Sequence, residues 1–346
     1  MVRISVAMLL ACLGLGLAFA TQQELPPVEG WRVLPESPMR PKLNSRHDDL
    51  FFTDPDTGWV VNVKGEIYKT TDGGESWIQQ LDSRRDMGPL VPFRSVGFAN
   101  SRVGWAGTLI KEQVLFETRD GGETWTDISN RITGPMPKGI CGIWVVNERV
   151  IYGAGRFVKT AHFIKSTDGG QSWTSTDMSA LAGILVDVYF FDENNGMIVG
   201  GTDVDLSIAN AVILVTSDGG DTWEQRYTTS GNLGEWGWKI AFPTPTTGYV
   251  TVERRVEEGG AKVLKTTDGG ATWEEFIIEN SKYLQGVGFA TEDLGWVSGG
   301  GTASMTETGG KTWRQIDFDG RINRFRMFGD SLGYAVGRQV YKYTRR

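Results

Sequence analysis

The sequence predicts an all-β protein, a single seven-bladed β-propeller with four antiparallel strands per blade. Three observations predict it. An eight-residue box recurs six times, as TTDGGESW (70–77), TRDGGETW (118–125), STDGGQSW (166–173), TSDGGDTW (216–223), TTDGGATW (266–273) and TETGGKTW (306–313). Its acids, Asp72, Asp120, Asp168, Asp218 and Asp268, follow one another at 48, 48, 50 and 50 residues, a period that marks a repeat architecture. Each period also holds short apolar runs with glycine and aromatic residues, and 46 glycines with 13 tryptophans in a chain of 346 favour short strands joined by tight turns.

Each period reads the same way. A first strand ends in an aromatic, as in Asp49–Phe52, Ser95–Phe98, Val188–Phe191, Lys239–Phe242 and Gly286–Phe289. A polar turn leads to a Gly-aromatic strand, as at Gly58-Trp59, Gly104-Trp105, Gly248-Tyr249 and Gly295-Trp296. A third strand enters the box (Ile67–Lys69, Val114–Phe116, Val263–Lys265) and a fourth leaves it (Trp77–Gln79, Trp125–Asp127). Four antiparallel strands make a propeller blade. The third period, 142–160, follows the pattern less closely. Blades are expected to start near 47, 93, 140, 185, 236, 283 and 323. The last one, built from Arg326–Phe328, Gly333–Val336 and Val340–Tyr343, lacks a fourth strand. Residues 30–34, which resemble a box-exit strand with no box before it, are expected to complete it and close the ring.

The box reads as a structural part. A carboxylate after a strand and before Gly-Gly accepts hydrogen bonds from its own turn, and the glycines allow the positive φ that the hairpin needs. Thr308 replaces the acid in the sixth box, a loss that a turn tolerates better than a catalytic site does. The five acids are therefore assigned a structural role.

The N-terminus carries Arg3, an apolar run over 4–19 and Ala18-Phe19-Ala20, which together predict a secretory signal peptide over residues 1–20, with 21–346 forming the propeller. Lipoprotein processing at Leu9-Leu10-Ala11-Cys12 competes with it, but leaves an apolar tail over 13–20. Removing the leader takes the formal charge from −7 to −8 and leaves Cys141 as the lone thiol, so no internal disulfide is expected. The exported chain is expected in a periplasm, a thylakoid lumen or the extracellular space, either free or anchored at Cys12. The acidic balance and the absence of a long basic run give no nucleic-acid footprint.

The box motif resembles that of Asp-box, or BNR-repeat, proteins. The leader, the seven short blades and the Phe…Gly-Trp pattern before each box resemble the photosystem II stability/assembly factor family and its bacterial relatives, over roughly 31–343. That resemblance implies a lumenal, non-catalytic, chaperone-like protein that holds a reaction-centre subunit, a membrane-protein partner, through an arginine-rich patch on one face. The box also occurs in sialidases, xyloglucan-cleaving glycosidases and sortilin-type receptors, so a carbohydrate-active hydrolase is the alternative.

Recognition is expected on the face where fourth strands join the next first strands. Counting four residues back from the aromatic that ends each first strand selects Asp48, Arg94, Asp187, Trp238, Gln285 and Arg324, with His47, Trp236, Tyr283 and Arg326 beside them. Arginine, aromatic and acid together suit a peptide, with carbohydrate as a second possibility. The insertions 202–211 and 253–261 lie on the same face. For hydrolysis, Asp48 and Asp187 are the available carboxylate pair, on blades one and four. Pro92-Phe93-Arg94-Ser95 lacks the context of a sialidase arginine. His47, His162 and Cys141 have no metal-ligand spacing. Asp54–Gly58 and Asp203–Asp205 lack the later ligands of a calcium loop. Neither cofactor nor metal is expected, and the chain is expected to be monomeric.

Overall fold

The computed structural model describes residues 28–39, 46–156, 160–231, 234–254, 260–279, 281, 283–318 and 320–345. The leader, Cys12 and part of the 253–261 insertion lie outside them. The first strands of blades one to seven are Asp49–Phe52, Phe93–Phe98, Gly142–Val145, Ile184–Phe190, Glu235–Ala241, Leu284–Phe289 and Ile322–Phe328. Five sheets run in sequence order from inner to outer strand. The seventh pairs Ile322–Phe328, Leu332–Gly337 and Val340–Thr344 with Trp31–Val33, which closes the ring antiparallel through Trp31↔Tyr343 and Val33↔Tyr341. Blade three differs from the expected four strands. Ile132–Thr133 adds a fifth, parallel to Trp173–Asp177 at the outer edge.

Inside each blade the Gly-aromatic motif has a steric cause. Phe52 pairs across the ladder with Gly58. A Cβ on Gly58 would lie 2.5 Å from the Phe52 ring, so the glycine lets the ring lie flat on the backbone. The next residue of the motif packs between blades. Trp59 stacks on Phe98 at 3.6 Å, Tyr152 on Phe190 at 3.8 Å, Tyr249 on Phe289 at 3.8 Å and Tyr334 on Phe52 at 3.7 Å. One aromatic sheet-to-sheet contact thus recurs around the ring, and it buries large rings at the blade interfaces.

The box closes the hairpin between third and fourth strands. In blade one the Thr70 hydroxyl donates to Asp72 Oδ1 at 2.8 Å and accepts from Gly74 N at 2.8 Å. Asp72 also accepts from Ser76 N at 2.9 Å and from the Ser76 hydroxyl at 2.5 Å. Gly73 and Gly74 have φ of 70° and 89°, and the glycine pairs of the other five boxes share the left-handed conformation. In the sixth box the Thr308 hydroxyl accepts from Thr312 N at 2.9 Å, so a neutral oxygen fills the place of the carboxylate.

These bonds favour the ionised acid. The Ser76 hydroxyl, first, and the Ser76 amide hold Asp72 down at about 2, and Thr222 and Thr272 do the same for Asp218 and Asp268. A carboxyl whose folded pKa is depressed contributes stability above its unfolded value and loses it as pH falls. We therefore predict that stability drops as pH falls from about 4 towards about 2. Circular-dichroism melts across that window should show a shallower drop for Asp72→Asn than for the parent.

Five of the six boxes also grip the preceding blade. The carbonyl of the first box glycine accepts a cationic side chain from that blade at five interfaces. Lys69 reaches Gly121 at 3.0 Å, Arg119 reaches Gly169 at 3.1 Å, Lys165 reaches Gly219 at 3.4 Å, Lys265 reaches Gly309 at 2.6 Å and Lys342 reaches Gly73 at 3.1 Å. Three interfaces add the Gly-aromatic residue as a second donor. Trp59 Nε1 donates to the Gly121 carbonyl at 3.2 Å, Tyr249 to Gly309 at 3.0 Å and Tyr334 to Gly73 at 3.2 Å. The lysines are cross-strand neighbours of these rings and lie 5.2–5.6 Å from their centroids.

Two interfaces lack this grip. Between blades four and five, Met197 and Val215 occupy the aromatic and lysine positions. Between blades six and seven, no box follows. A rim cleft opens at each, of 610 and 520 Å³ respectively.

Candidate functional site: the channel and its two mouths

First strands line the channel, and most of them bulge near their start. The register shifts fall between Phe93/Ser95, Leu185/Asp187, Gly237/Lys239, Leu284/Gly286 and Ile322/Arg324. The residues set aside by these bulges are Arg94, Val186, Trp238, Gln285 and Asn323, with Asp48 at the corresponding place before blade one. Counting back from an aromatic therefore lands on the bulge position, or on its counterpart Asp48, on four blades and one residue past it on two. Phe190, not Phe191, faces Gly196, and Met327, not Phe328, faces Gly333. The doublets Phe190-Phe191 and Met327-Phe328 hide this in sequence. Asp187 and Arg324 thus sit one step deeper in the channel, level with Asp49 and Lys239.

That deeper level is a charge network. Arg324 spans two blades, donating from Nε to Asp49 Oδ1 at 2.8 Å and from Nη1 and Nη2 to the two Asp187 oxygens at 2.8 and 2.7 Å. Lys239 Nζ lies 3.6 Å from Asp187. All four groups are at least 95% buried. Burial pushes the Asp187 carboxyl up, but Arg324 and then Lys239 outweigh it and bring it down to about 2. Burial and repulsion from Arg324 push the Lys239 ammonium down to about 8. Asp49 additionally accepts backbone N–H groups from Leu50 and Val96, at 3.0 and 3.1 Å.

Nearer the first-strand starts, Asp48 accepts from Arg94 and from Val63 N at 3.0 Å, and Arg46 stands 3.5 Å away. Arg46 donates to Gln285 at 2.9 Å, and Gln285 donates to Glu253 at 3.0 Å. The Arg94 guanidinium lies 5.4 Å from the Trp238 ring, and Trp238 Nε1 donates to Asn323 at 3.2 Å. His47 is fully buried, with Nε2 2.8 Å from the Pro38 carbonyl. Trp236 donates to the Asp203 carbonyl at 3.0 Å and packs with Leu206 and Ala209, so it anchors the 202–211 insertion. Tyr283 is half-buried with φ of 50°, the sole non-glycine residue with positive φ among those described. Eight of the ten sequence-selected residues are therefore buried and paired with one another or with neighbouring loops. Tyr283 and Arg326 keep more exposure.

Arg326 stands apart. It lies two residues beyond Arg324, towards the first-strand ends and the opposite mouth. Its guanidinium is 5.6 Å from Phe51 and 5.8 Å from Trp144. Nε makes a long 3.4 Å bond to the Leu50 carbonyl, and among the described residues no carboxylate lies within ion-pair distance. Burial, then Arg324, pulls it down to about 10, still protonated at neutral pH. Aromatic rings continue along this mouth, with Trp144–Tyr189 at 4.4 Å, Tyr189–Phe242 at 5.0 Å and Phe191–Phe242 at 4.8 Å. Phe191 is 37% exposed. Sequence reading selected Arg326 but passed over Asp49, Lys239 and Asn323, because a polar or charged residue inside an apolar strand reads as strand polarity until the bulge is seen. No group of three or more His, Cys, Asp or Glu able to hold a metal occurs among the described residues, and no described helix is long and apolar enough to cross a membrane.

Fold and box geometry define a seven-bladed propeller closed by its N-terminal strand and braced by acid–glycine turns. Within that class it resembles the photosystem II assembly factor family: residues 36–143, under half of the chain, match the model described as photosynthesis system II assembly factor YCF48. A 41-residue stretch is 46% identical to photosystem II assembly lipoprotein Ycf48 of Synechocystis, covering 12% of this chain and 12% of that relative. Solved structures share the fold at lower identity. YCF48 bound to D1 peptide aligns with a TM-score of 0.66 at 18% identity, over 93% of this chain and all of that one. YCF48 from Cyanidioschyzon merolae aligns at 0.68 and 19%, over 91% and 99%. A xyloglucanase from Xanthomonas campestris aligns at 0.64 and 12%, over 90% of this chain and 53% of that one.

Proposed function

We propose that the protein is an exported, non-catalytic assembly factor of the photosystem II type, which holds a peptide of a membrane-protein partner at the channel. Of the ten residues selected in sequence, from His47 to Arg326, Arg326 stands at this mouth and the others brace the channel behind it or line its far end. The buried members fix the hub, and Arg326 with its aromatic neighbours touches the peptide. One observation carries the reading: a guanidinium held among aromatic rings with no carboxylate of its own. Such a group suits a peptide carboxylate flanked by apolar side chains. The D1 peptide bound by a YCF48 of the same fold supports it. The lipoprotein relative supports lipidation at Cys12 as the route by which the exported chain stays at a membrane.

Hydrolysis is disfavoured by the hub itself. Asp48 and Asp187 are each committed to an arginine, and Asp187 is held near 2, where it cannot serve as a general acid at neutral pH.

The test is a fluorescence-anisotropy titration with D1 peptide. Loss of one charge-assisted contact is worth about 1.5–3 kcal/mol. Arg326→Ala should therefore weaken binding about 10- to 100-fold while leaving the melting temperature nearly unchanged. Equal affinity in the variant, or release of sugar from xyloglucan by the parent protein, contradicts the proposal.

A further inference from the structure

One box carbonyl, that of Gly269, is not met by a cation from the blade before. Its box keeps the common geometry. The Thr266 hydroxyl donates to Asp268 Oδ1 at 2.8 Å and accepts from Gly270 N at 2.9 Å, and Gly269 has φ of 72°. The Gly269 carbonyl therefore points, like its counterparts, at the third strand of the preceding blade. That strand offers Val215, cross-strand from Met197, where other blades pair Lys69 with Trp59, Lys165 with Tyr152, Lys265 with Tyr249 and Lys342 with Tyr334. A Cβ on Gly73 would lie 2.7 Å from Lys342 Nζ and one on Gly121 3.0 Å from Lys69 Nζ, whereas one on Gly269 would meet only the Pro245 carbonyl, at 3.4 Å. The place that holds an ammonium elsewhere is open here.

The Pro245 carbonyl is a second acceptor at the same place. At two other interfaces a tyrosine hydroxyl meets both carbonyls of this kind. Tyr334 approaches Gly73 O at 3.2 Å and Pro55 O at 2.7 Å, and Tyr249 approaches Gly309 O at 3.0 Å and Glu292 O at 3.3 Å. Met197 has no proton to give. Among the described residues no donor meets the Gly269 or the Pro245 carbonyl. We propose that the 610 Å³ cleft between blades four and five binds a lysine side chain of a partner polypeptide, its ammonium donating to these two carbonyls. The molecule itself shows the fit, because four of its own lysines take the equivalent position on a box glycine.

The charge of the cleft agrees with a cationic occupant. Asp192, Glu224 and Asp268 line it against one cation, Arg226, so its walls carry a net charge of −3 + 1 = −2. Arg226 is committed to Glu224. Asp192 and Asp268 accept hydrogen bonds from their own turns and keep their negative charge. Such walls attract an ammonium and repel a carboxylate. Phe191, partly exposed, adds an apolar wall for the lysine stem or for a neighbouring apolar side chain. The site is read separately from peptide binding at Arg326, because its determinants are Val215, Glu224 and two backbone carbonyls.

The probe is a short peptide with one lysine between two leucines and both ends blocked, titrated into the full chain labelled with ¹³C at its valine methyls. The Val215 resonance, assigned by its loss in Val215→Lys, should shift saturably. Calorimetry then compares variants. Val215→Lys places an ammonium of the chain's own on Gly269 and should weaken peptide binding at least about tenfold while D1 peptide affinity and the thermal midpoint are kept. Acetylating the peptide's lysine at Nζ should weaken binding by a similar factor. Glu224→Gln, at an exposed position, should weaken it severalfold and reduce its salt dependence. Absence of a saturable Val215 shift at millimolar peptide, equal affinity for the acetylated peptide, or undiminished binding by Val215→Lys overturns the proposal. So does binding that appears only in Arg226→Gln, because the cleft is then filled by the chain's own arginine.

Discussion

Replacing Arg324 with methionine should destabilise the propeller by about 3–5 kcal/mol, the cost of removing one partner from a buried ion network. The side chain bonds Asp49 of blade one and both oxygens of Asp187 of blade four, so it ties together blades that are not neighbours. Methionine preserves length and apolar contact but strips two buried carboxylates of their hydrogen-bonded guanidinium, leaving Lys239 at 3.6 Å from Asp187. A loss of this size is a large share of the roughly 5–15 kcal/mol that holds a domain together. Urea unfolding measures it directly. Adding Asp187→Asn to the methionine variant should recover part of the loss, because it removes the stranded charge. A methionine variant as stable as the parent means that the network is solvated and does not brace the ring.

Trp59→Ala should cost about 3–5 kcal/mol, as expected for deleting a fully buried aromatic side chain. Trp59 stacks on Phe98 of the next blade and donates to the Gly121 carbonyl of that blade's box. Alanine leaves a cavity at the blade interface and strips one of the donors of that carbonyl, with Lys69 and Gln80 remaining at 3.0 and 3.2 Å. Ile78 provides the contrast. It is 71% exposed on an outer strand, and its alanine variant should change stability by no more than about 0.5 kcal/mol. Chemical denaturation of the two variants side by side decides between them.

The strands, their pairing and the ring closure were legible because the box and the Gly-aromatic motif impose fixed local geometry. Phe over glycine and acid before glycine each have a single way to pack. The channel was less legible. Its bulges shift register by one residue, which sequence counting cannot detect beside a doublet such as Phe190-Phe191. Arg324 and Asp187 were selected as surface recognition residues, yet the structure gives them to each other. The fifth strand of blade three, Ile132–Thr133, comes from a parallel pairing too short to leave a period-two pattern. The grip of Lys69 and Lys265 on the next box was present in sequence as a lysine just before the box threonine, and that of Lys342 as a lysine in the third strand of the last blade. Its meaning depends on which blade lies alongside, and only the closed ring supplies that.

The account rests on a division of labour, with boxes holding blades together and the channel mouth making contact with the partner. The most direct measurement is D1 peptide affinity together with the thermal midpoint for Asp120→Ala beside Arg326→Ala. Asp120 accepts from Thr124 N at 2.9 Å and from the Thr118 and Thr124 hydroxyls. Its loss should cost about 1 kcal/mol in this solvent-screened turn and leave the affinity of folded molecules unchanged, while Arg326→Ala should lose affinity and keep its midpoint. A stable Asp120→Ala protein that no longer binds peptide would place recognition in the box and contradict the account.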